Sequence, residues 1–233
     1  ICKAGHLVSF FDKSDSPIVA VRINNEICAL TQVIENGAYI EPVFLKSSEG
    51  SSIYRRSLCF VLGVAAQKLF PNKRLVVGHS LGYGYYYTID LDTPITTEQI
   101  TALKAEMTNI INANSTIEQN TISYKEAVDL FDKLNLIETR KQLNYICPPR
   151  IKINTLQDFS DLYFAPLLPS TGLLKQFDLM PYHEGFLLRF PSTADPDQLS
   201  PFEDVPQLFK VYKRYKDWGK LLGVTSAASL NQL

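Results

Sequence analysis

The stretch Arg56-Ser57-Leu58-Cys59-Phe60-Val61-Leu62-Gly63-Val64-Ala65-Ala66-Gln67-Lys68-Leu69-Phe70-Pro71 decides the fold. Leu58, Val61, Leu62, Ala65 and Leu69 recur at helical spacing, and Pro71-Asn72 stops the pattern. Extended back to Ser52, this is a helix too apolar to lie free on a surface. It requires a sheet to cover it. Upstream, Ile18-Val19-Ala20-Val21-Arg22-Ile23 and Glu26-Ile27-Cys28-Ala29-Leu30 flank Asn24-Asn25, a pair that tolerates positive φ and so predicts a hairpin. Tyr39-Ile40-Glu41-Pro42-Val43-Phe44-Leu45 adds a third β-like run before the polar residues 46–52.

Downstream, Leu75-Val76-Val77-Gly78, a turn at Gly82-Tyr83-Gly84 and the aromatic strand Tyr85-Tyr86-Tyr87-Thr88-Ile89-Asp90-Leu91 predict a second hairpin. Thr96 with Gln99, and Ser123 with Glu126, are capping boxes. The first opens a helix with Ile100, Leu103, Met107, Ile110 and Ile111 on one face, and the second precedes Ala127, Leu130 and Phe131. After Pro148-Pro149 come β-like runs at 151–153, 173–180 and 185–190. A last helix from Pro206 directs Leu208, Tyr212, Tyr215 and Leu222 inward and ends at Gly223. The fold class is α+β, without the βαβ alternation of nucleotide-binding folds and without repeats.

Composition narrows the function. With 45% hydrophobic and 20% charged residues the chain can bury a substantial core, and a formal net charge of -1 supplies no global field for nucleic acid or anionic lipid. No apolar run reaches the ~20 residues of a membrane span. Cys2, Cys28, Cys59 and Cys147 lie far apart with no secretory signal ahead of them, which predicts structural, reduced thiols and a cytoplasmic location. A start at Ile1 and a featureless tail over 226–233 suggest a fragment.

The segment 17–27 resembles the TGS domain, a β-grasp module that precedes threonyl-tRNA synthetase and occurs in regulatory proteins. The quoted helix, Gly78-His79-Ser80-Leu81-Gly82-Tyr83-Gly84-Tyr85-Tyr86-Tyr87, the 95–111 helix and Ser123-Tyr124-Lys125-Glu126-Ala127 resemble, in the same order, the threonyl/alanyl-tRNA-synthetase editing-like domain. More closely, His79-Ser80-Leu81-Gly82, Phe164-Ala165-Pro166-Leu167-Leu168-Pro169-Ser170-Thr171-Gly172 and Gly185-Phe186-Leu187-Leu188-Arg189-Phe190-Pro191 resemble the front half of bacterial uridine-kinase-related proteins of the phosphoribulokinase/uridine kinase family. The resemblance implies a TGS-like module over 1–50, an editing-like domain over 51–233 and a P-loop kinase domain of the same chain beyond Leu233.

The editing family's resemblance implies a H-x-x-x-H pair on the first helix and a later C-x-x-x-H pair, a set suited to Zn²⁺ or to ester chemistry. Here those positions read Arg56 and Phe60, then Tyr163 and Leu167. A guanidinium keeps its proton, and phenylalanine and leucine have no lone pair, so neither a metal nor a catalytic residue is expected. No glycine-rich loop carries the Lys that phosphoryl transfer needs; ATP and Mg²⁺ are expected only for the attached kinase.

The expectation is a metal-free relict cleft lined by Arg56, Phe60, His79, Tyr163 and Leu167, with His183 and Arg189 as neighbours, able to hold a nucleotide, an RNA end or another small ligand. It is equally open that Phe60 and Leu167 simply fill the vacated site, with Arg56 in an ion pair. The alternative activity is a metal-independent deacylase-like hydrolase. Lys210, Lys213, Arg214, Lys216 and Lys220, interleaved with Tyr212, Tyr215 and Trp218, read either as a nucleic-acid surface or as the solvated side of an amphipathic helix. Tyr83, Tyr85, Tyr86 and Tyr87 read either as a base-stacking row or as a strand half core and half surface.

Overall fold

The computed structural model describes residues 2–11, 16–34, 37–82, 84–145, 148–224 and 230. Tyr83, Cys147 and the tail at 225–229 and 231–233 lie outside the described residues. β1 (Cys2–Lys3) leads through a 3-10 turn (Ala4–Phe10) to β2 (Ile18–Ile23), β3 (Glu26–Cys28), β4 (Val33–Ile34) and β5 (Ile40–Phe44). β3, β2 and β5 form an antiparallel sheet in that order, and β1 pairs with β4. The expected hairpin is there: Ile23 pairs with Glu26, and Asn24 and Asn25 take φ of 47° and 72°.

α1 (Ser48–Leu69) begins four residues before the expected Ser52, within the run taken as a polar loop. Ser47 supplies the reason, because its hydroxyl accepts from the Gly50 amide at 3.0 Å and so satisfies a donor of the first turn. Ile53, Leu58, Phe60, Val61, Leu62 and Ala65 of α1 share one core with Val19, Ala20 and Val43 of the first sheet, so the apolar interior is continuous from β2 into the rest of the chain.

β6 (Leu75–Ser80) and β7 (Gly84–Ile89) form the second expected hairpin, with Gly82 at φ 57° in its turn. α2 (Thr97–Asn112) realises the Thr96–Gln99 capping box and buries its apolar residues against α1. β8 (Glu118–Ser123) was not legible, since its sequence Glu-Gln-Asn-Thr-Ile-Ser has no apolar face; pairing with β9 supplies what composition lacks. α3 (Tyr124–Lys133) follows the second capping box, then α4 (Ile137–Gln142), β9 (Arg150–Leu156) and β10 (Phe159–Asp161). The run 173–180, expected as β throughout, begins in a 3-10 turn (Thr171–Leu173), continues irregularly and becomes strand only at β11 (Asp178–Tyr182). β12 (Gly185–Arg189) completes a four-stranded antiparallel sheet in the order β11-β12-β7-β6.

Alternation along β7 divides the tyrosines. Tyr87 faces the α1 core with Phe186 and Leu188, whereas Tyr86 faces the other way with Leu187. That second face is not surface. α5 (Pro206–Leu221) covers it with Phe209 and Tyr212, and Tyr86 is buried. The half-surface reading of this strand is thereby corrected. Contact with the sheet is close at Gly78, where an added Cβ would lie 2.6 Å from the Tyr212 hydroxyl. α5 turns Leu208 and Tyr212 inward as expected, but Tyr215 and Leu222 point to solvent, because the sheet occupies only one side of the helix. Gly223, at φ 71°, ends it as expected.

Candidate functional site

Arg56 and Phe60 sit one turn apart on α1 and meet the segment that follows β10. The Arg56 guanidinium donates to the Pro166 carbonyl at 2.7 Å. One residue on, the Ser57 hydroxyl donates to the Ile53 carbonyl and accepts from the Leu168 amide, both at 2.8 Å. These two side chains hold Leu167 against the helix. Phe60 is fully buried, with the Tyr163 ring edge-on at 5.5 Å and Phe159 tilted at 5.7 Å. Leu167 is 4% exposed. Two pairs from segments 103 or more positions apart, Arg56 and Phe60 with Tyr163 and Leu167, are thus brought together.

The remaining three expected residues lie across the four-stranded sheet, on its α5 side. The exposed His79 ring is stacked 6.1 Å from Tyr212, and His183, at the β11–β12 turn with φ 50°, is stacked 4.0 Å from Phe209. The Arg189 guanidinium donates to the Ser200 carbonyl and sits 5.7 Å over the Phe202 ring. The sheet therefore sorts the seven residues into two groups, because β7 and β12 alternate between the α1 core and α5.

The α1 group is electrostatically unusual. Burial lowers the pKa of Arg56, and the neighbouring Tyr163 and Cys59 work in the opposite direction. Burial also raises the Tyr163 phenol well above its ordinary value, reinforced by Asp161 and Cys59 and opposed by Arg56. The Cys59 thiol is pushed up to about 11 by burial and is paired with the Tyr87 hydroxyl. These groups are neutral at physiological pH apart from Arg56.

Asp161 belongs to this group, and sequence reasoning missed it. At the end of β10 its carboxyl accepts from the Leu162 amide at 2.7 Å and from the Thr139 hydroxyl at 3.0 Å. Burial raises its pKa to about 6 against those two hydrogen bonds. Directly across the β9–β10 ladder, Asn154 is buried and its side-chain nitrogen has no hydrogen-bond partner among the described residues. Nothing in the run Phe-Ser-Asp-Leu-Tyr marks this aspartate; its environment is built by α4 and β9. An acid whose folded pKa exceeds its unfolded value of 3.8 holds its proton more tightly when folded. Its contribution is therefore present below about pH 4 and lost as pH rises through about 6. Asp161→Asn, which keeps the acceptor oxygen, is expected to flatten that part of the stability–pH profile and to be more stable than the parent at pH 7.5 by about 1–3 kcal/mol. Urea titrations at pH 4, 6 and 7.5 check this; parallel profiles for the two proteins would refute it.

Among the described residues, no three His, Cys, Asp or Glu side chains are grouped to hold a metal ion. Two open cavities, of about 520 and 440 Å³, lie elsewhere: one between β3 and Lys152, the other at the end of α2 beside Gly172 and Lys175.

The helix-backed antiparallel sheets and the meeting of α1 with the segment after β10 make an α+β protein. Curated relatives that it matches over most of its length include threonine–tRNA ligases. The chain is 29% identical to that of Pelobacter propionicus over 162 residues, which is 70% of this chain and 26% of that protein. Identity is 32% over 164 residues to that of Desulforamulus reducens, with the same coverage, and 30% over 196 residues to that of Oleidesulfovibrio alaskensis, covering 80% of this chain and 30% of the relative. The chain thus spans between a quarter and a third of the length of these relatives. No protein-family model matches it. This similarity supports an editing-like domain identity.

No helix among the described residues is long and apolar enough to cross a membrane.

Proposed function

We propose that this chain is a non-catalytic binding and regulatory region: a TGS-like module over 1–50 and an editing-like domain over 51–233, attached in a cytoplasmic, uridine-kinase-like protein to an ATP- and Mg²⁺-dependent P-loop kinase domain. The observation that carries the non-catalytic reading is the contact of Arg56, Phe60, Tyr163 and Leu167 at the positions where the editing family holds its ligand set. A permanent cation, two apolar side chains and a phenol held in its protonated form cannot donate a lone pair to Zn²⁺ or generate a metal-bound hydroxide. What the group retains on its accessible side is the Arg56 guanidinium with the Tyr163 ring near it, both partly exposed, which suits an anion attached to a ring, such as a nucleotide or an RNA end. His79, His183 and Arg189 would then serve a second surface on the α5 side.

A hydrolase reading keeps one supporting observation. Asp161, with a pKa near 6 and a hydrogen bond from Thr139, has the basicity of a general base at neutral pH without a metal. Incubation of the chain with mischarged tRNA separates the two. The expected result is no deacylation above the buffer rate, with or without added Zn²⁺, together with a rise in melting temperature on adding a nucleotide or RNA end that is lost in Arg56→Ala. Deacylation that disappears in Asp161→Asn would establish the hydrolase instead.

A further inference from the structure

Helix α5 has two apolar sides, and the sheet uses one of them. Leu208, Phe209 and Tyr212 cover β7 and β12, while Val211, Tyr215, Trp218 and Leu222 face solvent about a quarter-turn away. The last four follow one another at intervals of four, three and four residues, the spacing by which a helix presents a continuous seam to another helix. Tyr215 is 67% and Trp218 60% exposed, and Leu221, at 85%, widens the seam. Scattered exposed apolar residues need no explanation, but a contiguous row of this length marks an interaction surface.

Chemistry selects among occupants. Single-stranded nucleic acid would use Tyr215 and Trp218 as stacking platforms but would gain nothing from Val211, Leu221 and Leu222, which lie before and after them along the helix. A second copy would set Lys210 and Arg214, the cations that border the seam, against the same two residues of an identical helix, whereas Lys213, Lys216 and Lys220 lie on the side towards Glu184 and Tyr212. Like charges so placed across an interface are repulsive. Glu184, the acid beside this helix, is already paired with Lys213 at 3.0 Å. An apolar seam bordered by Lys210 and Arg214 matches an amphipathic helix with acidic flanks. We propose that the outer face of α5 is the docking site for such a helix, supplied by a partner segment.

Two synthetic helical peptides test this, one with leucine at its seam positions and glutamate beside them, the other with lysine in place of glutamate. Trp218 is the only tryptophan of the chain, so its emission reports occupancy of the seam directly. The acidic peptide is expected to shift that emission to the blue saturably, to bind at least about tenfold tighter than its lysine counterpart, and to weaken with salt. Tyr215→Ser/Leu222→Ser, checked for unchanged helicity and melting temperature, is expected to lose about tenfold or more in affinity. Lys210→Glu/Arg214→Glu leaves the seam intact and is expected to erase the preference for the acidic peptide. Equal binding of the two peptides, no emission shift, tighter binding of a uridine oligonucleotide, or concentration-dependent dimerisation through Trp218 would each overturn the proposal.

Discussion

Phe60→Ala is expected to lower the free energy of unfolding by about 3–5 kcal/mol, with an unchanged denaturant slope. Phe60 is fully buried at the centre of α1, and two rings, Tyr163 and Phe159, pack on it. Truncation removes the transfer free energy of a benzyl group and leaves a void. Collapse into that void is restricted because Arg56 and Ser57 pin the opposing segment through the Pro166 carbonyl and the Leu168 amide. The measurement also decides what this packed group is. A loss of this size means that Phe60 is ordinary core, whereas a loss under about 1 kcal/mol would mean that the aromatic group is loosely held and that the segment after β10 opens from α1.

Gly50→Ala is expected to be comparably damaging, although alanine is the better helix former by about 1 kcal/mol. Gly50 lies in the first turn of α1, where an added Cβ would stand 2.1 Å from the Phe44 carbonyl oxygen and 2.5 Å from that of Leu45. Both obstacles are backbone at the end of β5, so no side-chain rotation relieves them. The helix must move away from the strand, disturbing the Ser47 cap, the Arg22–Glu49 ion pair at 2.9 Å and the packing of Val43 on α1. The helix-propensity gain is the smaller effect, and a net loss of about 2–4 kcal/mol is expected. Thermal and urea unfolding of the variant measure it; a stabilised Gly50→Ala protein would show that the β5–α1 junction yields.

The residues that announced themselves did so through short-range rules. The two capping boxes, the Asn24-Asn25 hairpin and the Gly223 terminator each depend on atoms within three or four residues, so the sequence contains the whole interaction. The early start of α1 was the near miss of this kind: Ser47 was visible, but the polar residues after it read as loop until β5 was seen to lie beneath Gly50. β8 carried no periodicity to read, and its conformation follows from β9 beside it; the run 173–180 read as strand, but only 178–182 finds a partner, in β12.

By itself the sequence determined the α+β class and the main helices and hairpins, because these follow from residue type and local spacing; that Arg56, Phe60, Tyr163 and Leu167 stand at former ligand positions is what the family resemblance implies. Tertiary structure alone decided that those four meet while His79, His183 and Arg189 stand across the sheet, that Asp161 is buried with a raised pKa, and that α5 covers Tyr86 yet leaves Tyr215 and Trp218 in solvent. The physical reason is common to all three. Which face of a strand or helix is covered, and how much water reaches a carboxyl group, are set by elements distant in sequence, and a periodic pattern names an apolar face without naming what will cover it.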